Sequence, residues 1–373
     1  MLLLIALANA PLYLYGDGSF GYGMVVRGYP ILDQVIVLLQ TTLVTGRAYP
    51  MFALLFGYGI VQLLRRQTAG GVDAATVRKL VRRRGWWLVL FGFLHALLLF
   101  SGDIIGAYGL LAVLLAGVLT RAGDRTLLIM VAVWTVPIVL FPPLEGRWTL
   151  PGEGSYATTD LLPAAGIRVL EWVERSVIGS LFLLVPALLL GVWAARRRLL
   201  DEPERHRRLL LRVAVLGIAL AAVGGLPWAL VKAHWWEPSS AAAAAFASVA
   251  HTLTGYPGGV GYAAVAGLIA IRVRDRRGRT ITALAACGQR SLTCYLLQSV
   301  VFVAVLAAYG GGLGDRFGIV EIAVLATVTW ALTVLLAEWM SRRGYRGPAE
   351  VLLRRLTYGS GAWWGQPHHR QAS

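Results

Sequence analysis

The stretch IAVLATVTWALTVLLAEWMSR, Ile322–Arg342, is apolar for most of its length, carries one acid, Glu338, and closes on Arg342 and Arg343. VIGSLFLLVPALLLGVWAAR, Val177–Arg196, behaves the same way and runs on into Arg197 and Arg198. Leu54–Leu64 ends at Arg65, Leu110–Thr120 at Arg121 and Val260–Ile271 at Arg272. Apolar runs approaching the ~20 residues that cross a hydrocarbon core, each punctuated by arginine, are the pattern of a polytopic inner-membrane protein obeying the positive-inside rule.

Composition agrees with that pattern. Hydrophobic residues make up 57% of the 373, charged residues 14%, and mean hydropathy is +0.65. Soluble domains carry roughly 25% charged residues. The formal charge of +16 is confined to the ends of apolar runs. Topology and phosphate headgroups account for it, so no nucleic-acid partner is expected and the bilayer is the partner implied. Cys287 and Cys294, seven residues apart within one expected helix, lie about two turns apart, too far to bridge.

The expected fold is all-α, with about ten transmembrane helices at 1–15, 48–64, 86–101, 103–121, 126–142, 176–195, 209–231, 257–271, 283–309 and 319–340. Alternation puts both termini and the segments 65–85, 121–125, 196–208, 272–279 and 341 onward on the cytoplasmic side of a bacterial inner membrane. Only Arg27, Arg47, Arg147, Arg168, Arg175, Lys232 and Arg316 fall outside. Residues 31–45, too short to cross and carrying Asp33, Gln34 and Gln40, read as a re-entrant or interfacial outer helix. Residues 240–254 read as a separate outer helix ended by Gly255-Tyr256-Pro257-Gly258, and the second part of the loop Pro143–Arg175 reads as an amphipathic surface helix. Residues 361–373 read as a flexible tail. The apolar start, MLLLIALANAPLYLYG, lacks a basic flank, and its first helix is expected to begin upstream.

RAYPMFALLFGYG (Arg47–Gly59), GFLHALLLFSGDIIGAYG (Gly92–Gly109), GQRSLTCYLLQS (Gly288–Ser299) and GPAEVLLRRLTYG (Gly347–Gly359) together resemble the YeiB-like bacterial membrane proteins. The resemblance divides one integral membrane domain into an N-terminal half, 1–195, and a C-terminal half, 196–360, that corresponds to a domain of unknown function numbered 418. That family is distantly similar to transmembrane acyltransferases, which implies acyl transfer from cytoplasmic acyl-CoA to an acceptor in or beyond the membrane. Acyl-CoA would be a donor substrate, with no tightly bound cofactor. Members usually carry an Asp and an Arg-Gly pair ahead of the first helix's Asn. This chain keeps Asn9 alone, and has Cys294 where the family usually has Asn before the Tyr of the ninth helix.

An ionisable group inside a span is a functional candidate. His95 suits a general base, since imidazole titrates near neutral pH; its alternative is a neutral histidine bonded between helices. Asp103, after Ser101-Gly102, reads as an N-cap or as a charge facing an outward cavity. On a continuous helix the two would stand about 12 Å apart, and they pair only if the Ser-Gly turn folds one back. Tyr108 lines the same cavity or anchors an interface. Arg47 fits an anionic group or snorkels. Ser291, Tyr295, Gln298 and Ser299 share one face of the ninth span, as a substrate stripe or as helix-helix glue. Arg290 suits the phosphates of acyl-CoA or a lipid headgroup. No His, Cys, Asp or Glu grouping has metal-ligand spacing, and Walker, dinucleotide and nucleophile-elbow patterns do not occur. A transporter of a small or lipidic solute and a non-enzymatic envelope protein are the alternative readings.

Overall fold

The apolar runs fold as α-helices, as their leucine and alanine content favours, and among the described residues there is no strand. The computed structural model describes residues 1–16, 30–140, 154–274 and 278–359. α1 (Leu2–Asn9) tightens into a 3-10 turn, Ala10–Tyr13, and α2 (Pro30–Leu43) turns into α3 (Ala48–Ala69). α4 (Ala74–Leu98) and α5 (Ile105–Arg121) follow, then α6 (Asp124–Leu140) and α7 (Leu161–Glu171). A π-helical segment, Trp172–Gly179, and the single turn α8 (Ser180–Leu183) lead to α9 (Val185–Arg196). The C-terminal half comprises α10 (Arg207–Lys232), α11 (Ala241–Arg272), α12 (Arg279–Gln289), α13 (Ser291–Leu306), α14 (Ile319–Arg342) and α15 (Pro348–Tyr358). Arg27, Arg147, the first part of the 143–175 loop and the tail from 360 lie outside the described residues.

Three stretches are long and apolar enough to cross a membrane: Ile31–Ala69, which takes in α2 and α3, then α10 and α14. There are five if each bent pair counts as one span. The first bent pair joins α7 and α8 to α9 at 46°, and the second joins α12 to α13 at 85°. Leu2–Tyr13 and α5 are apolar but shorter.

Helices approach closely where side chains are missing. A Cβ on Gly57 would strike the carbonyl oxygen of Leu188, and one on Gly191 that of Leu54, so α3 and α9 cross nearly backbone to backbone. α4 and α5 do the same at Gly85 with Gly109 and at Gly92 with Gly106. Small residues are the usual means of packing helices where the surroundings are as apolar as the side chains.

Arginine-bearing helix ends are tied to neighbouring segments in pairs. Arg65 and Gln62, near the end of α3, bond Asp201 at 3.1 and 2.8 Å. Asp124 accepts from Arg197 at 2.5 Å and from Arg196 at 3.4 Å, and the Arg197 guanidinium holds its carboxyl below the usual carboxylate range. Arg274 reaches Glu204 at 2.6 Å, and Arg279 lies 3.5 Å from Glu338 at the end of α14. A different set of segments joins elsewhere: Trp235 donates to Gln34 at 2.9 Å, Val320 N–H to Asp33 at 3.1 Å, and Arg168 to the Tyr309 hydroxyl at 2.7 Å.

Four expectations change. Residues 240–254 are not a separate helix: α11 runs unbroken through Gly255–Gly258 with Pro257 inside it. Pro257 lies against Gly217 of α10, and inside an apolar bundle neighbouring helices compensate for proline. The expected span 283–309 breaks at Arg290, whose backbone leaves the helical region. That break overturns the cysteine reading, because folding α12 back brings the Cys287 and Cys294 sulfurs to 3.7 Å. Finally, α7 is a two-faced surface helix with its polarity reversed, since Arg168 and Glu171 are buried while Leu161, Leu162 and Leu170 are exposed.

Candidate functional site

His95 and Asp103 form a buried pair, with Nδ1 2.8 Å from Oδ1 and side chains 1% and 0% exposed. The sequence between them explains how. The N–H groups of Leu99 and Phe100 both bond the His95 carbonyl, ending α4, and Asp103 N–H bonds the Phe100 carbonyl. This turn replaces the continuous helix that would have held the two apart. Asp103 then caps α5 as well, because its Oδ2 accepts from Gly106 N–H at 2.8 Å. Of the two roles weighed for Asp103, the structure shows the cap, and its other oxygen holds His95 rather than facing an outward cavity. Gly92 makes it possible: a Cβ there would strike the Gly106 backbone and come within 2.5 Å of Asp103 Oδ2.

With Asp103 ionised and the imidazole neutral, the proton between the two groups sits on His95 Nδ1 and Nε2 carries the lone pair. Nε2 is buried and has no hydrogen-bond partner. The rings of Tyr295 and Phe100 stand 5.1 and 6.0 Å from the imidazole, centre to centre. Both polar atoms of Gln298 are likewise buried without partners, and the Tyr295 hydroxyl is buried beside the Ile104 backbone. Since native interiors satisfy almost all buried polar groups, this concentration of open donors and acceptors is suited to a polar guest.

The other expected residues distribute as follows. Ser299 is buried on the same face as Tyr295 and Gln298, with its hydroxyl 3.5 Å from the Tyr295 carbonyl, and Ser291 is half-buried at the start of α13. Tyr108 is buried, stacks on Phe56 at 5.1 Å and points its hydroxyl at the Tyr49 carbonyl, 3.4 Å away. Asn9 is half-buried at the end of α1 and makes no hydrogen bond to the His–Asp pair. Arg290 is buried and donates to the carbonyls of Tyr345 and Ala286, so its guanidinium closes the α12–α13 bend.

Arg47 stands apart from the pair. It does not snorkel: it is 0% exposed and donates to the carbonyls of Thr45 and Ala221, both at 2.7 Å, and to the His251 ring at 2.8 Å. Gly225 leaves room for its Nη2, since a Cβ would overlap that atom.

Several residues of the site's surroundings escaped the sequence reading. Tyr156 accepts from Ser101 N–H at 3.0 Å and donates to the Leu99 carbonyl, bracing the turn that pairs His95 with Asp103. Arg168 bonds the Leu97 carbonyl through Nη2 at 2.9 Å, and Glu171 takes the Ser155 hydroxyl at 2.8 Å. Trp172, opening the π-helical segment, packs on Gly106 and Phe93. Glu350 accepts from Leu292 N–H at 2.7 Å, Thr293 N–H at 3.1 Å and the Thr293 hydroxyl at 2.5 Å, so it caps α13 from a distance. The Gly-Pro-Ala-Glu run at 347–350 was visible, but which helix its acid would cap was not.

The described residues define an all-helical fold with several strongly apolar helices and a buried His–Asp pair between them. Residues 194–360 match the family described as "Protein of unknown function (DUF418)". Over 334 residues the chain is 28% identical to the uncharacterized protein YxaH of Bacillus subtilis (strain 168), covering 83% of this chain and 78% of that one. Over 335 residues it is 26% identical to the uncharacterized protein YeiB of Escherichia coli (strain K12), covering 82% and 80%. The chain is thus similar along most of its length to YxaH and YeiB, and its residues 194–360 match the DUF418 family. No solved structure matches it.

Proposed function

We propose that this protein is a membrane-embedded acyltransferase with His95 as general base, moving an acyl group from cytoplasmic acyl-CoA to an acceptor in or beyond the membrane. The observation that carries the reading is the free, buried Nε2 of His95 opposite the carboxylate bond at Nδ1. A base needs a fixed tautomer and an oriented lone pair, and a buried carboxylate supplies both.

In this mechanism Nε2 takes the proton of the acceptor hydroxyl as its oxygen attacks the thioester carbonyl. The carbon–sulfur bond breaks, and the imidazolium returns the proton to the departing thiolate. Asp103 stays ionised and steadies the imidazolium. Tyr295 and Gln298 offer donors to the developing oxyanion, the kind of preorganised stabilisation that is usually the largest contribution.

The reading includes a topology of about ten spans with both termini cytoplasmic. Its support is that the end segments assigned to the inside are bonded to one another, through Arg65–Asp201, Arg197–Asp124 and Arg274–Glu204. On this topology the short helices α1, α5 and α13 cross in contact with longer neighbours, and α2 is interfacial.

The test is transfer of a labelled acyl group from acyl-CoA in vesicles carrying each variant. His95→Gln keeps a hydrogen-bonding side chain but cannot take a proton at neutral pH. Transfer should fall about 10²–10⁴-fold, the range general bases contribute. Wild-type rates in His95→Gln would reduce the pair to a structural contact, and failure of the wild type to bind acyl-CoA would remove the acyltransferase reading.

A further inference from the structure

A cavity of about 170 Å³ lies between α3, α4 and α5, away from His95. Leu55, Phe56, Gly59, Ile60 and Leu63 present one face of α3 to it, Val81 and Leu88 one face of α4, and Ala112 closes it. Apolar cavities of about 150 Å³ stay dry and take up benzene-sized solutes, so this one accepts hydrocarbon. Two features make it more than a packing defect. Gly59 is exposed, with nothing within 4 Å of where its Cβ would stand, so the cavity opens on the flank of the bundle. Arg84 also lines it, with its Nε buried and unpartnered, and among the described residues no carboxylate pairs with its guanidinium.

Arg84 belongs to the arginine-rich start of α4, where Arg82 and Arg83 are exposed, and Arg66, one turn beyond Leu63, is exposed at the same end of α3. An apolar slot entered from the side, with a guanidinium near its charged end that no described carboxylate pairs, matches an amphiphile with one anionic head and a hydrocarbon tail. We propose that this cavity binds an anionic phospholipid, one acyl chain lying along Gly59 between α3 and α4 and its phosphate on Arg84. A lipid is the occupant, rather than a water-soluble acyl thioester, because the opening at Gly59 is on the flank, beside apolar side chains such as Leu55 and Phe56. The site is independent of the acyl-transfer reading and stands or falls separately from it.

The probe is dioleoyl phosphatidylglycerol, with dioleoyl phosphatidylcholine for comparison, added to the full chain in detergent and counted by native mass spectrometry as the micelle is stripped. Wild type should retain one phosphatidylglycerol and prefer it at least about tenfold over phosphatidylcholine. Gly59→Leu, which fills the slot and suits a helix better than glycine, and Arg84→Gln should each cut retention about tenfold. Arg82→Gln, whose side chain is exposed, should not change it. Helical circular dichroism and a single size-exclusion peak identify folded variants, and Gly59→Ala provides a milder filling if leucine is not tolerated. Equal retention by wild type, Gly59→Leu and Arg84→Gln would overturn the proposal. So would equal loss in Arg82→Gln, which would mean general adhesion of headgroups, or stoichiometric displacement of the lipid by acyl-CoA.

Discussion

Asp103→Asn is the substitution that most sharply separates catalysis from architecture at this site. Asp103 is 0% exposed and fills two positions at once, with Oδ1 on His95 Nδ1 and Oδ2 on Gly106 N–H, both at 2.8 Å. Asparagine has the same shape but only one accepting atom. If its oxygen stays on His95, its amide faces the Gly106 donor and leaves a buried N–H unsatisfied, costing about 1–3 kcal/mol. If the amide flips, the oxygen caps Gly106 and the NH₂ donates to His95 Nδ1. The flip is the cheaper outcome, and it moves the imidazole proton onto Nε2.

In the flipped state the atom aimed at the acceptor has become a donor. The base is lost while the fold remains, so acyl transfer should fall about 10²–10⁴-fold, equivalent to about 2.7–5.4 kcal/mol on the barrier. Stability should fall by only about 1–2 kcal/mol, because a neutral cap replaces a charged one. The assay pairs vesicle transfer rates with thermal unfolding of the same preparations. Transfer within about threefold of wild type, with the protein folded, would refute the reasoning and leave Asp103 as a helix cap.

Gly92→Ala should destabilise by about 1–3 kcal/mol, the range for overpacking, because its Cβ meets the Gly106 backbone and Asp103 Oδ2; an unchanged Tm would mean that α4 and α5 do not cross this closely. Cys287 and Cys294 should join on treatment with a membrane-permeant oxidant, read by intact mass as the loss of two free thiols, whereas thiols two turns apart on a straight helix would stay free. Reporter fusions after Arg198 and after Gly312 should report cytoplasmic and outer sides respectively; the same side for both would refute the ten-span topology.

Periodicity and charge made the helices legible, and Arg65, Arg196, Arg272 and Arg342 lie at or near the ends of α3, α9, α11 and α14 as their apolar runs indicate. Breaks within apolar runs were legible much less well. Gly255-Tyr256-Pro257-Gly258 reads locally as a stop, yet α11 continues because α10 packs on it there. Gly288-Gln289-Arg290 reads as helix, yet Arg290 bends the chain, and what fixes the bend is the Tyr345 carbonyl, 55 residues away. In both cases a distant partner overrides local propensity, which a window of sequence does not contain.

The same logic explains why His95 and Asp103 were found as residues but not as a pair. Their types and their place in an apolar run mark them as candidates, while their contact depends on the turn at 99–104 and on the absence of side chains at Gly92 and Gly106. Tyr156 completes that turn from a segment more than fifty residues away. Glycine at 92 lets the carboxylate approach, Asp103 then caps α5, and the cap holds the oxygen that fixes the imidazole tautomer. A cap alone would be served by Ser or Asn; a carboxylate offers a separate oxygen to each of the two donors, Gly106 N–H and His95 Nδ1–H, and leaves His95 Nε2 free to take a proton.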